Sequence, residues 1–230
     1  MTVLGLETSS SICSVGLATD GGSTSARSLD AGSIHSEKLL TLVKLILKEN
    51  ALELSGIDAV AVSSGPGSFT GLRIGFSAAK GLCLSMEKPL IVVPTFEALT
   101  SSVLHARPEA RNILVALDAK KGDFYMEMFG RKGNKAGSEG EIRLVRGSDV
   151  VARARTVNGT LVVVTDREPE VRSVLGEIPA EIEDARKHFR GDEIAALGLQ
   201  KILNGETADG EIVEPLYLKD FVVAGRPSAV

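Results

Sequence analysis

The chain has 230 residues, 43% hydrophobic and 24% charged, the balance of a folded globular protein of one domain or two small lobes. Its net charge of −4 argues against an unaided grip on nucleic acid, which needs many Lys and Arg against the phosphates. With only two cysteines, a disulfide framework and a four-cysteine metal site are both excluded.

Met1 to Glu7 has neither the basic region nor the apolar run of a signal peptide, and no later apolar run reaches ~18 residues, so a soluble cytoplasmic protein with no membrane contact is expected. Cys13 and Cys83 sit in ordinary apolar stretches, which suits a reducing compartment. Val3 to Glu7 reads as a buried strand, Cys13 to Ala18 as a second, and a turn at Asp20-Gly-Gly22 leads into a third, Ser23 to Leu29. A helix follows over His35 to Glu49, with Ser33 or Ser36 as its N-cap and Lys44 and Lys48 near its end.

Ala59 to Ser63 is a short apolar strand, Gly65 to Gly71 a loop, Leu72 to Met86 a helix, Leu90 to Val93 a strand and Phe96 to Leu104 a helix. Alternation of strand and helix implies parallel pairing. At Ile113 the opening pattern begins again, because Ile113 to Asp118, like Val3 to Glu7, is an apolar strand closed by a carboxylate. Gly122 and a strand from Tyr125 to Phe129 come next, so an internal duplication is expected. The rest holds a Gly-rich basic stretch (130–140), a strand at Leu161 to Thr165, helices over Glu168 to Leu175 and Asp192 to Leu203, and an extended tail at Pro215 to Leu218. The expected division is an N-terminal lobe, 1–108, and a smaller C-terminal lobe, 109–230.

The sharpest segment is Ser64-Gly-Pro-Gly-Ser-Phe-Thr-Gly-Leu-Arg73. A strand-to-helix loop of this kind can aim backbone N–H groups at an anion, but glycines needed for close backbone contact explain it better. It is no Walker A loop, since Leu72 and Arg73 stand where Lys and Ser or Thr are required. Gly71, Gly75, Ala79 and Cys83 line one helix face with small side chains, fitted either to an outside helix or to packing within the chain. In the first long helix, Leu39, Leu40, Leu42, Val43, Leu45, Ile46 and Leu47 span roughly 220°, beyond the ~100° stripe of a one-sided surface helix. An intermolecular helix contact is preferred, with deep burial in the monomer as its rival. The expected partner surface is therefore Leu39, Leu42, Val43, Ile46, Gly71, Leu72, Gly75, Phe76 and Ala79.

Glu7-Thr-Ser-Ser-Ser11 places a carboxylate and hydroxyls after a strand, where a satisfied turn is the commoner outcome. Glu7 and Asp118 could also face one another across a cleft. His35, His105 and His188 form no His-x-x-x-His or His-Glu-x-x-His spacing, and Pro66 breaks a Gly-x-Ser-x-Gly elbow at Ser68. No metal ligands and no catalytic residues are assigned.

Taken together, Leu4-Gly-Leu-Glu-Thr-Ser9, His35-Ser-Glu37, Gly65-Pro-Gly-Ser-Phe-Thr-Gly-Leu-Arg-Ile-Gly75 and Leu117-Asp-Ala119 with Gly122 and Tyr125 resemble the bacterial TsaB family. That family was formerly called YeaZ and is sometimes labelled glycoprotease-like or M22 peptidase-like. The resemblance implies an α/β fold of the duplicated ribonuclease-H-like kind shared with actin and hexokinase, in two lobes. It implies a non-catalytic subunit of tRNA threonylcarbamoyladenosine synthesis that binds a TsaD-like paralogue, is joined by a TsaE-like ATPase and forms a homodimer when alone. tRNA would be met only through the complex; no cofactor is required, and at most nucleotide binds weakly. Glu7 departs from the family's usual Asp. The alternatives are a metallopeptidase-like enzyme and a small-molecule ATP-dependent kinase of the same fold.

Overall fold

The computed structural model describes residues 1–32, 34–133, 135–210 and 212–218. Strands β1 (Thr2–Glu7), β2 (Ile12–Thr19) and β3 (Thr24–Asp30) form the antiparallel meander, and β4 (Ala59–Ser63) and β5 (Leu90–Val93) add to it in parallel. The order across the first sheet is β3-β2-β1-β4-β5. Helix α1 (His35–Glu49) joins β3 to β4, α2 (Phe69–Met86) joins β4 to β5, and α3 (Thr95–Ala106) leaves the sheet.

The second half repeats this plan with β6 (Asn112–Asp118), β7 (Asp123–Lys132), β8 (Lys135–Ser138), β9 (Arg143–Arg146), α4 (Gly147–Arg155), β10 (Leu161–Thr165), α5 (Glu168–Leu175), β11 (Glu181–Asp184) and α6 (Gly191–Leu203). Its main order, β8-β7-β6-β10-β11, matches the first sheet strand for strand, with β9 as an extra strand on β7. The duplication expected from the restart at Ile113 is present.

Each sheet buries two faces, so its central strands are apolar throughout. In the first, Leu4, Leu6, Val60 and Val62 pack with Leu39, Val43, Ile46 and Phe76 of α1 and α2. The opposite face carries smaller residues: Val3, Ala59 and Ala61 meet Ile194, Ala195 and Leu199 of α6. Glycines let α6 close on the strands. A Cβ at Gly5 would lie 2.1 Å from the Gly191 carbonyl, and one at Gly16 would lie 2.0 Å from Asp192 N. The Gly191 N–H donates to Ser14 Oγ at 2.8 Å.

Helix α3 makes the reciprocal move, since Phe96, Leu99 and Val103 pack with Ile113, Val115, Leu117, Val162 and Val164 of the second sheet. Each half's closing helix thus covers the other half's sheet. One consequence is that the layers do not divide at residue 108, because α6 lies on the first sheet.

Boundaries differ from expectation where side chains cap the backbone. Helix α2 starts at Phe69 because Ser68 Oγ accepts the Gly71 N–H at 3.3 Å. Helix α1 has the expected bounds, but Ile34 precedes it with no side-chain cap; Ser36 lies within the helix, and Ser33 lies outside the described residues. Among the described residues no helix is long and apolar enough to cross a membrane.

Candidate functional site

Between the halves lies a cleft of about 740 Å³ at the carboxyl ends of the central strands, where open α/β sheets commonly bind their ligands. Two turns related by the duplication form its floor. In the first, Glu7 Oε1 accepts the Ser9 N–H at 2.6 Å, the Ser9 hydroxyl at 2.6 Å and the Ser63 hydroxyl at 3.2 Å. Burial pushes the Glu7 carboxyl up, against the pull of those bonds. In the second, Asp118 Oδ1 accepts the Lys120 N–H at 2.9 Å, while Oδ2 pairs with Lys120 Nζ at 2.9 Å and Arg167 at 3.3 Å. Burial would raise Asp118, but the lysine and arginine prevail and hold it below the usual carboxylate range.

These turns do not form a carboxylate pair. Asp118 lines the cleft and Glu7 does not, because Glu7 is turned inward to bind its own loop. The satisfied-turn reading holds for it.

The loop from Gly65 to Gly71 is engaged by the chain itself. Ser68 N donates to Ser9 O at 2.6 Å, Gly65 N to Thr95 Oγ1 at 3.1 Å and Leu72 N to Ser68 O at 2.8 Å. A Cβ at Gly67 would sit 2.3 Å from Ser9 O, at Gly71 2.0 Å from Thr8 O, and at Gly75 2.3 Å from Thr8 Oγ1. The small-residue face of α2 therefore packs within the chain.

The same holds for the rest of the expected partner surface. Leu39, Leu42, Val43, Ile46, Phe76 and Ala79 lie in the first core, and Leu72, Gly71 and Gly75 are buried beside it. The wide apolar arc of α1 divides into this buried stripe and the exposed Leu40 and Leu45.

Residues that the sequence reading did not single out, Lys120, Lys121, Asp166, Arg167 and Arg186, complete the cleft together with Tyr217 of the extended tail. Lys120 and Lys121 have φ of 65° and 60°, a region that side chains seldom adopt, and Gly122 follows at 79°. Asp166 Oδ1 accepts the Asp118 N–H at 2.9 Å. The usable signals were the strand-end positions of Asp118 and Asp166 and the turn glycine at 122.

No group of three or more His, Cys, Asp or Glu among the described residues could hold a metal. Ser102 Oγ lies 2.9 Å from His188 Nδ1, and Glu183 Oε1 lies 3.4 Å from Nε2. That order of groups suits a nucleophile, but all three are buried and none lines the cleft, so it is a polar clasp between α3 and the β11 end. Cys13 and Cys83 are buried free thiols, each pushed up to about 11 chiefly by burial, which makes them poor nucleophiles.

A duplicated βββαβαβα plan closing on a cleft, with sheet order 3-2-1-4-5 in each half, defines a protein with the fold of the actin and hexokinase class. In the same class, component A of the (R)-2-hydroxyglutaryl-CoA dehydratase of Acidaminococcus fermentans superposes with TM-score 0.55 at 8% identity, covering 88% of this chain and 99% of its own. A Pseudomonas aeruginosa protein described by its similarity to the peptidase YeaZ superposes with TM-score 0.83 at 24% identity, over 95% and 99% of the two chains. The family model described as TsaD, tRNA N6-adenosine threonylcarbamoyltransferase, matches residues 29–154. The tRNA threonylcarbamoyladenosine biosynthesis protein TsaB of Escherichia coli is 30% identical over 234 residues, 96% of either chain. The chain belongs to the TsaB family.

Proposed function

We propose that the chain is a non-catalytic subunit of tRNA threonylcarbamoyladenosine synthesis that binds and activates a larger TsaD-like paralogue. The observation that carries this reading is the whole-length likeness to a protein named for that biosynthesis. The docking surface is the outward face of α1 and α2, which touch each other and leave Leu40 49%, Leu45 45% and Leu84 83% exposed. Exposed leucines on neighbouring helices suit the apolar centre of a protein interface. The same face serves a homodimer when the chain is alone, so the two assemblies exclude each other.

A TsaE-like ATPase joins the complex, tRNA is met only there, and the site of action is the cytoplasm. No cofactor is required. A nucleotide in the cleft would be held weakly, since the Glu7 carboxylate is already engaged by its own turn.

Co-purification with the host's TsaD-like paralogue tests the reading, and failure of the wild-type chain to bind would sink it. The double variant Leu40→Glu, Leu84→Glu should stay folded yet lose dimer and paralogue binding by about thirtyfold or more, the ~2 kcal/mol common at an interface centre. Normal binding by the folded variant would place the interface elsewhere. Peptidase or transferase turnover by the isolated chain would favour the enzyme alternatives.

A further inference from the structure

The segment 213–218 has no regular secondary structure, yet it is anchored at both ends. Val213 packs against the first core and Leu218 against the second. Between them, Leu216 N donates to Ser64 O at 2.8 Å. The Leu216 carbonyl comes so near Gly65 that a Cβ there would lie 2.9 Å from it, and Gly65 has φ of 106°, a conformation that glycine alone adopts without cost. The Tyr217 ring stands 4.9 Å from that of Phe69, and its hydroxyl accepts the Arg73 Nε–H at 3.3 Å. The Arg73 guanidinium lies 4.1 Å over Phe69 and 5.9 Å over Tyr217. Leu216, Tyr217 and Leu218 together form one wall of the cleft.

We propose that this segment is a strap that fastens the cleft in cis, so that the cleft opens only when the strap releases. A tail that merely decorated one half would need neither anchors in both cores nor a glycine shaped to its backbone. The middle of the strap lies at the surface, with Leu216 43% and Tyr217 38% exposed, which places it among the segments that open locally before the fold does. The glycine at position 65, like those at 67 and 71, is thereby explained by close approach of the chain's own backbone. A molecule entering from this side competes with Leu216 and Tyr217 for the same wall.

The fluorophores make a direct test available. The chain has no Trp and two Tyr, Tyr125 and Tyr217, both of which line the cleft. In Tyr217→Phe and in Tyr217→Ala, Tyr125 is the only emitter. The phenylalanine keeps the ring contacts and the alanine removes them. Acrylamide quenching of Tyr125 should be at least about twofold stronger in Tyr217→Ala than in Tyr217→Phe, because local opening admits the quencher. Equal quenching in two folded variants would overturn the strap. Should Tyr217→Ala fail to fold, hydrogen exchange on the wild-type chain decides. Amides of 213–218, 64–69 and 118–123 should then exchange as one opening unit. Faster exchange of 213–218 with the other two segments protected independently would refute it.

Discussion

Glu7 and His188 are buried groups whose protonation couples to folding with opposite signs. The folded-state pKa of Glu7 is raised by burial, so the folded chain holds this proton more tightly than the unfolded one. Its contribution is present below the unfolded value of about 4.3 and is lost as pH rises through the folded pKa. Glu7→Gln keeps an acceptor for Ser9 and Ser63, and its stability relative to wild type should rise as pH rises through that window in urea titrations at pH 4 and 7. A difference independent of pH would mean an ordinary carboxyl. For His188, burial lowers the pKa against the pull of Glu183. Its contribution is full above the unfolded value of about 6.5 and falls as pH drops below it. His188→Asn should flatten the stability profile of the chain below pH 6.5. At Gly71 the Thr8 carbonyl leaves no room for a methyl group, and Gly71→Ala should cost about 1–3 kcal/mol by overpacking, read as a lowered urea midpoint. The turn at Glu7 and the tight glycines were legible in the sequence as residue types. Which backbone each glycine admits was not, because Thr8, Ser9 and Leu216 reach them from distant parts of the chain.

Helices with strong punctuation were read nearly to the residue. Helix α1 has the expected bounds and α6 begins one residue early, as their apolar period and terminal charges suggested. Elements of the second half were read less well for a physical reason. Helix α4 buries only Val150 and Ala154 among its nine residues, and β9 and β11 are four residues each, so little hydrophobic periodicity reaches the sequence. The width of the α1 arc gave a sound count of apolar residues but not their division into a buried stripe and the exposed Leu40 and Leu45. Periodicity reports how much of a helix is apolar, while the identity of the covering layer depends on the tertiary fold. At the start of α2, Ser68 is the sole side-chain cap, and Ser68→Ala should lower stability by about 1 kcal/mol, measured by thermal unfolding.

At the scale of the molecule, the exchange of α3 and α6 makes the halves interdependent. Ile194, Leu197 and Leu199 of α6 are buried on the first sheet, and at roughly 1.5–3 kcal/mol each their loss rivals the ~5–15 kcal/mol that holds an ordinary domain. A fragment of residues 1–108 should therefore lack a cooperative unfolding transition by circular dichroism, although the sequence reading marked it as a lobe. The same exchange sets the order of events on the ribosome. The first sheet is synthesised early, but the helix that covers its second face begins at Gly191. At ~5–20 residues per second, Val3, Ala59 and Ala61 wait many seconds without their cover. During that interval the nascent chain presents an apolar sheet face to whatever chaperone attends the exit tunnel, and that face is covered only once α6 has been made.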